Sequence, residues 1–302
     1  MKLLTQSACF ELSNCGSVLM PGLVERLLYR VAKRWIAGYE LEDAVKVAHE
    51  ANGRKLHVIL NRLGEHTPDR GLIEEYTLEY LRLLDAISDE EVHGTISAKP
   101  SQLGLAVDPF LFKSNLERIL ERAEQTKKFV WVDMENSPYT EATLRVYIEL
   151  LAEHPSLGIC LQANLKRTQK DLEDLLNRGG KIRLVKGAYP EDSSIAYKKR
   201  SVIDSNYQRL MEMLFKAGDN FAIATHDTRL IHEAERLSKV NNKRFDFAML
   251  KGIRDDLKEK LINQGYQVTE YIPYGPEWYN YSKRRMRERK RNILLLIRSI
   301  TG

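Results

Sequence analysis

The sequence predicts a closed (β/α)8 barrel with a helical N-terminal arm, and three observations carry that prediction. Eight short β-rich runs recur along the chain, and a helix-like segment follows each one. No Gly-x-Gly-x-x-Gly follows any early run. Strict alternation of strand and helix predicts parallel pairing through crossover helices. Eight such units in roughly 250 residues match a closed barrel in size. A doubly wound open sheet built to hold a dinucleotide would carry the glycine fingerprint that is missing here.

Residues 1–53 form the predicted arm, with helices over Leu23–Trp35 and Leu41–His49, and residues 54–302 form the barrel. Strands are predicted over Leu56–Leu60, Gly94–Lys99, Phe129–Met134, Gly158–Gln162, Lys181–Lys186, Phe221–Thr225, Phe245–Leu250 and Val268–Ile272. Between the first two, Leu72–Ile87 places Ile73, Tyr76, Tyr80, Leu83, Leu84 and Ile87 at helical spacing. Phe110–Ala123, Glu141–Leu151, Lys170–Leu176, Asp204–Phe215, Arg229–Leu237 and Asp255–Ile262 repeat that pattern. A final helix starts near Pro276 and extends or restarts through Ile300.

The 302 residues are 43% hydrophobic and carry a net charge of +5, too mild to imply nucleic acid. No stretch approaches the twenty apolar residues of a transmembrane segment. Gln6, Ser7 and Glu11 interrupt the first twenty residues, which also lack arginine, so neither a signal peptide nor a mitochondrial presequence is expected. Cys9, Cys15 and Cys160 are odd in number and without metal spacing, which fits reduced thiols in a cytoplasmic protein. The basic run Lys283, Arg284, Arg285, Arg287, Arg289, Lys290 and Arg291 reads either as a nucleic-acid patch or as a solvated helix face.

The most informative stretch is Lys181–Tyr189, where Arg183 and Lys186 interrupt a buried strand that Gly187 ends. A buried guanidinium needs an acidic side chain or an anionic ligand, and the stretch alone admits both. The carboxyl ends of barrel strands build one mouth. Reading polar residues off those ends gathers Lys99, Asp133, Glu135, Gln162, Arg183, Lys186, Thr225, His226, Asp227 and Tyr274. Tyr281, Arg284, Arg285 and Glu288 share one face of the last helix. Two adjacent arginines with an acid one turn on form a carboxylate clamp, since a planar guanidinium pairs bidentately with a carboxylate. Ordinary surface charge pairing is the other reading of that face.

These residues resemble the proline dehydrogenase family. The likeness rests on Val132–Glu135, Leu161–Ala163, Arg183–Tyr189, Ala224–Asp227, Pro273–Gly275 with Trp278–Tyr279, and Tyr281–Glu288. Leu63–Glu65 and Lys99 ahead of Leu103–Gly104 add to it, and the segments fall in the family's order from about Gly38 to Arg298. Asn136, Ala248, Arg287 and Lys290 depart from the pattern, standing respectively where an acid, a glutamine, a small residue and a proline are usual.

The resemblance implies noncovalent FAD over the barrel mouth, contacted by Met134, Gln162, Arg183, Val185, Lys186, Gly187, Ala188, Thr225 and His226. It implies a substrate pocket of Lys99, Asp133, Leu250, Tyr274, Tyr281, Arg284 and Arg285. The expected reaction is oxidation of L-proline to 1-pyrroline-5-carboxylate by hydride transfer to flavin N5. Lys99, Arg284 and Arg285 are expected to fix the carboxylate and lower the pKa of the bound amine. Arg183 is expected to stabilise charge arriving on the flavin. Asp133 is expected to orient a cation or Tyr274 and to help accept the amine proton, and Tyr274 to disfavour a 4-hydroxylated ring. A membrane quinone would take the electrons, a separate pyrroline-5-carboxylate dehydrogenase would take the product, and the chain would be cytoplasmic, visiting the inner face of the membrane. A hydroxyproline dehydrogenase on the same scaffold is the nearest alternative, and a barrel-derived nucleic-acid-binding protein the more distant one.

Overall fold

The computed structural model describes residues 23–288, and its centre is a closed barrel of eight parallel strands in chain order. Two helices, α1 (Leu23–Ala32) and α2 (Leu41–Gly53), precede it. The alternation then runs β1 (His57–Arg62), α3 (Arg70–Asp89), β2 (Gly94–Ala98), α4 (Pro109–Gln125), β3 (Val130–Val132) and α5 (Ser137–Leu151). It continues β4 (Leu157–Gln162), α6 (Thr168–Asn177), β5 (Lys181–Val185), α7 (Arg200–Ala217), β6 (Phe221–Ala224) and α8 (Thr228–Asn241). It ends β7 (Phe245–Leu250), α9 (Asp255–Asn263), β8 (Gln267–Tyr274) and α10 (Trp278–Glu288). Every predicted strand is present, with boundaries shifted by a few residues.

Several helices start at the mouth because the sequence supplies an acidic cap there. Asp69 accepts from Gly71 and Leu72 N–H at 2.8 and 3.2 Å, Asp108 precedes Pro109 at the start of α4, and Asp227 accepts from Arg229 N–H at 3.1 Å. The main core lies between strands and helices, where residues such as Leu60, Leu84, Leu116, Leu184 and Ile272 are fully buried. Each such side chain contributes about 1.5–3 kcal/mol by leaving water. Inside the barrel, Ile59, Trp131, Ala222 and Ala248 pack together and close the floor beneath the mouth.

The arm does not stand apart. Helix α2 packs on β1 and β8, and α1 packs on α10. Tyr29 stacks on Tyr39 at 4.4 Å, and both meet the ring of Trp278 edge-on. The turn that opens α10 is tied down by Glu277, which pairs with Arg62 and accepts from the Tyr76 hydroxyl at 3.4 Å. Position and angle of α10 are therefore set from two sides.

Strand β8 is longer than its apolar run suggested, and this corrects one expectation. Alternation along it sends Glu270 out to Lys258 of α9 and Tyr274 out to Glu79 of α3, which accepts from the Tyr274 hydroxyl at 3.1 Å. Tyr274 is fully buried under the helical layer and does not face the mouth. The tyrosine that does is Tyr271, on the inner face of the same strand.

Candidate active site

The strand ends surround a cavity of about 590 Å³ at the mouth. It is lined by Lys99, Asp133, Leu250, Tyr281 and Arg285, and by Met134, Gln162, Arg183, Val185, Lys186, Gly187, Ala188, Thr225 and His226. The structure also brings Cys160, Tyr189, Ala248 and Tyr271 to its wall. The Arg284, Arg287 and Glu288 side chains, and Arg289, Lys290 and Arg291 entirely, lie outside the described residues, as do Cys9 and Cys15.

Asp133 is the hub. Its Oδ2 accepts from Lys99 Nζ at 3.0 Å and from the Tyr271 hydroxyl at 2.8 Å. Its Oδ1 accepts from the Ser97 hydroxyl at 2.8 Å and from Arg183 Nη2. Burial alone would raise its pKa, but Lys99, Arg183 and the Tyr271 hydrogen bond outweigh that and hold the carboxyl well below its ordinary range. Burial likewise works against the Lys99 ammonium, and Tyr271 and Asp133 more than reverse it. Asp133 is thus a fixed anion between two cations and is a poor acceptor for a substrate proton.

Arg183 settles the question its sequence position raised. A guanidinium has five N–H donors. Nε donates to Cys160 Sγ at 2.8 Å, and Nη2 donates to Ser97 Oγ at 2.9 Å and to Asp133. The group also lies over the rings of Trp131 and Tyr271, at 5.1 and 5.5 Å. Nη1 is buried and has no hydrogen-bond partner among the described residues. Leaving a buried donor unmade costs about 1–3 kcal/mol. The acidic partner is Asp133, and Nη1 keeps its donors free of any partner among the described residues.

Around this cluster Met134, Val185, Ala224, Ala248, Met249 and Leu250 give the wall its apolar part. His226 Nε2 accepts from Leu250 N–H at 2.9 Å, so a neutral ring carries its proton on Nδ1. Lys186 is held between Asp204 and Asp227, and Thr225 Oγ1 accepts from Asp227 N–H at 3.1 Å. A second cavity of about 680 Å³ continues the first past Lys186–Tyr189, bounded further out by Asn164, Tyr197, Lys198 and Arg200. Gly187 makes that passage possible. Its φ is +101°, and a Cβ there would stand 2.1 Å from Asn164 Oδ1. Gly187→Ala is expected to destabilise the protein by about 1–3 kcal/mol, read as a lower denaturant midpoint.

Of the four departures from the family pattern, Asn136 and Ala248 have described side chains. Ala248 lines the wall, and Asn136 stands at the N-cap of α5 with its Oδ1 buried and unbonded among the described residues.

The sequence profile of the family described as Proline dehydrogenase matches residues 44–293. The chain belongs to the proline dehydrogenase family. Proline dehydrogenase 2 of Bacillus subtilis is 32% identical over 286 residues, covering 91% of this chain and 94% of its own. Proline dehydrogenase of Deinococcus radiodurans is 31% identical, covering 92% of each. Among solved structures, proline utilization A from Bdellovibrio bacteriovorus superposes with a TM-score of 0.81 at 23% identity. That likeness covers 87% of this chain but 33% of the longer protein, and it shows the shared barrel. As a member of the proline dehydrogenase family, the chain is an oxidoreductase that acts on proline. No helix among the described residues is long and apolar enough to cross a membrane.

Proposed function

We propose that this chain converts L-proline to 1-pyrroline-5-carboxylate with noncovalent FAD as its cofactor. The observation that carries the reading is the buried Lys99–Asp133–Arg183 cluster at one side of a mouth cavity to which Met134, Val185, Ala224, Ala248, Met249 and Leu250 add apolar surface. A planar heteroaromatic ring with acceptor atoms suits that wall, and Met134, Gln162, Arg183, Val185, Thr225 and His226 would hold it. The adjoining cavity, with Lys186, Lys198 and Arg200 on its border, suits a diphosphate-bearing tail by charge. FAD, when bound, supplies at N5 the acceptor for the hydride that leaves the ring carbon beside the amine.

The chain's own residues do the rest. Lys99 and Arg285 present positive charge to the substrate carboxylate. The same charge lowers the pKa of the bound amine and favours the neutral form that can form a C=N bond. Tyr271, its hydroxyl committed to Asp133, is the phenol that contacts the ring in the place expected of Tyr274. It would favour proline over a 4-hydroxylated ring. The electron acceptor we propose is a membrane quinone, reached from the cytoplasmic side, with a separate pyrroline-5-carboxylate dehydrogenase consuming the product.

The reading is tested by incubating FAD-loaded protein with L-proline and a soluble quinone. It predicts a cyclic imine that has lost two hydrogens, seen by mass spectrometry. Unconsumed proline, or consumption of hydroxyproline alone, contradicts it.

The site's charges also set a pH profile. The folded pKa of Asp133 lies below its unfolded value of about 3.9. Its stabilisation is therefore complete above that value and is lost only as pH falls through the depressed folded pKa. Lys99 has a raised folded pKa, so its contribution is present below about 10.4 and is lost as pH rises past the folded value. Neither group changes charge between about pH 5 and 9. kcat/KM should rise with pH across that window as the substrate amine deprotonates, without a carboxylate step. A step that disappears in Asp133→Asn would contradict the assignment.

A further inference from the structure

Ser97 belongs to no motif of the family resemblance, yet it is fully buried at the junction of the site's two strongest ions. It stands on β2 two residues before Lys99, so both side chains enter the barrel from the same face. Its hydroxyl has one proton to give and lone pairs to receive. Asp133 only accepts and Arg183 only donates, so the direction is forced. The Ser97 proton goes to Asp133 Oδ1 at 2.8 Å, and its oxygen receives Arg183 Nη2 at 2.9 Å. Cys160 faces Arg183 across the β4–β5 pair and takes Nε at 2.8 Å. Its sulfur is a weak acceptor, and burial pushes the thiol up to about 11, so it remains neutral.

We propose that Ser97 is a positioning residue for proline oxidation. Its hydroxyl locks the Arg183 guanidinium and the Asp133 carboxylate into one geometry beside the cavity, and Cys160 completes the hold. The proposal rests on the flavin reading above. Ser97→Ala changes no charge, so what it removes is the aim of Arg183 rather than its presence. A guanidinium held by fewer contacts stabilises arriving negative charge less well than one fixed fully beforehand.

The test measures the two-electron reduction potential of bound flavin, alongside kcat and KM, in Ser97→Ala. We expect the reduction equilibrium to move about tenfold against the reduced form, which is about 30 mV lower. kcat should fall by a similar factor with KM little changed. Added to Arg183→Lys, the same substitution should produce no further shift, because its effect passes through Arg183. Cys160→Val, which keeps charge and nearly keeps volume, should move the potential in the same direction by less. A lower Tm with an unchanged potential, or an equal extra shift in the Arg183→Lys background, makes Ser97 structural and overturns the proposal. Wild-type flavin that proline does not reduce would overturn the cofactor reading itself, which separates the two failures.

Discussion

Replacing Asp133 with alanine is expected to cost the fold about 3–5 kcal/mol, because two buried cations lose their shared partner. Lys99 and Arg183 are 7% and 2% exposed, so bulk water screens neither charge well. kcat/KM should fall at least a hundredfold, since Tyr271, Lys99 and Arg183 all take their positions from this side chain. Asp133→Asn separates shape from charge. The amide keeps the volume, but burial then pushes the Lys99 pKa down with one opposing charge fewer. KM for proline should therefore rise with pH in the Asn variant and not in the wild type. Chemical denaturation and a pH series of KM check both parts, and a stable, fully active Asp133→Ala would remove the hub.

The second large effect is expected at Arg285. It lies half-buried on α10, over the Tyr281 ring at 5.3 Å, and lines both cavities. Truncating one partner of a desolvated, hydrogen-bonded charge pair costs about 2–5 kcal/mol. At about 1.36 kcal/mol per decade, Arg285→Ala should lower kcat/KM for proline about a hundredfold or more, mostly through KM. Arg285→Lys should recover little of this, because an ammonium does not reproduce a planar two-point contact. Near-wild-type turnover in both variants would show that the carboxylate is held elsewhere.

The barrel was legible because its signal is cumulative: eight apolar runs at regular spacing survive errors of a residue or two at each end. The site was legible where a polar residue sat at or just past a strand end, as Lys99, Asp133 and Gln162 do, or interrupted an apolar strand, as Arg183 does. It was misread where the strand end was misplaced. Ending β8 at Ile272 made Tyr274 a loop residue at the mouth, whereas two further residues of pairing with β1 place it on the outer face. Period two would have corrected this, since Tyr271 lies on the opposite face from Tyr274. The same rule points to Ser97 from Lys99 and to Cys160 from Gln162. Sequence could not show that Arg183 both pairs with Asp133 and keeps donors in reserve, because that depends on where five N–H groups find acceptors.

The central claim is that Arg183 and its neighbours are arranged for a flavin that takes electrons from proline. The most direct measurement is the visible spectrum of the purified protein under anaerobic conditions, before and after addition of L-proline. Flavin absorbance that bleaches with proline is the predicted result. A protein that stays colourless and inactive after reconstitution with FAD, or a bound flavin that proline leaves oxidised, would contradict it.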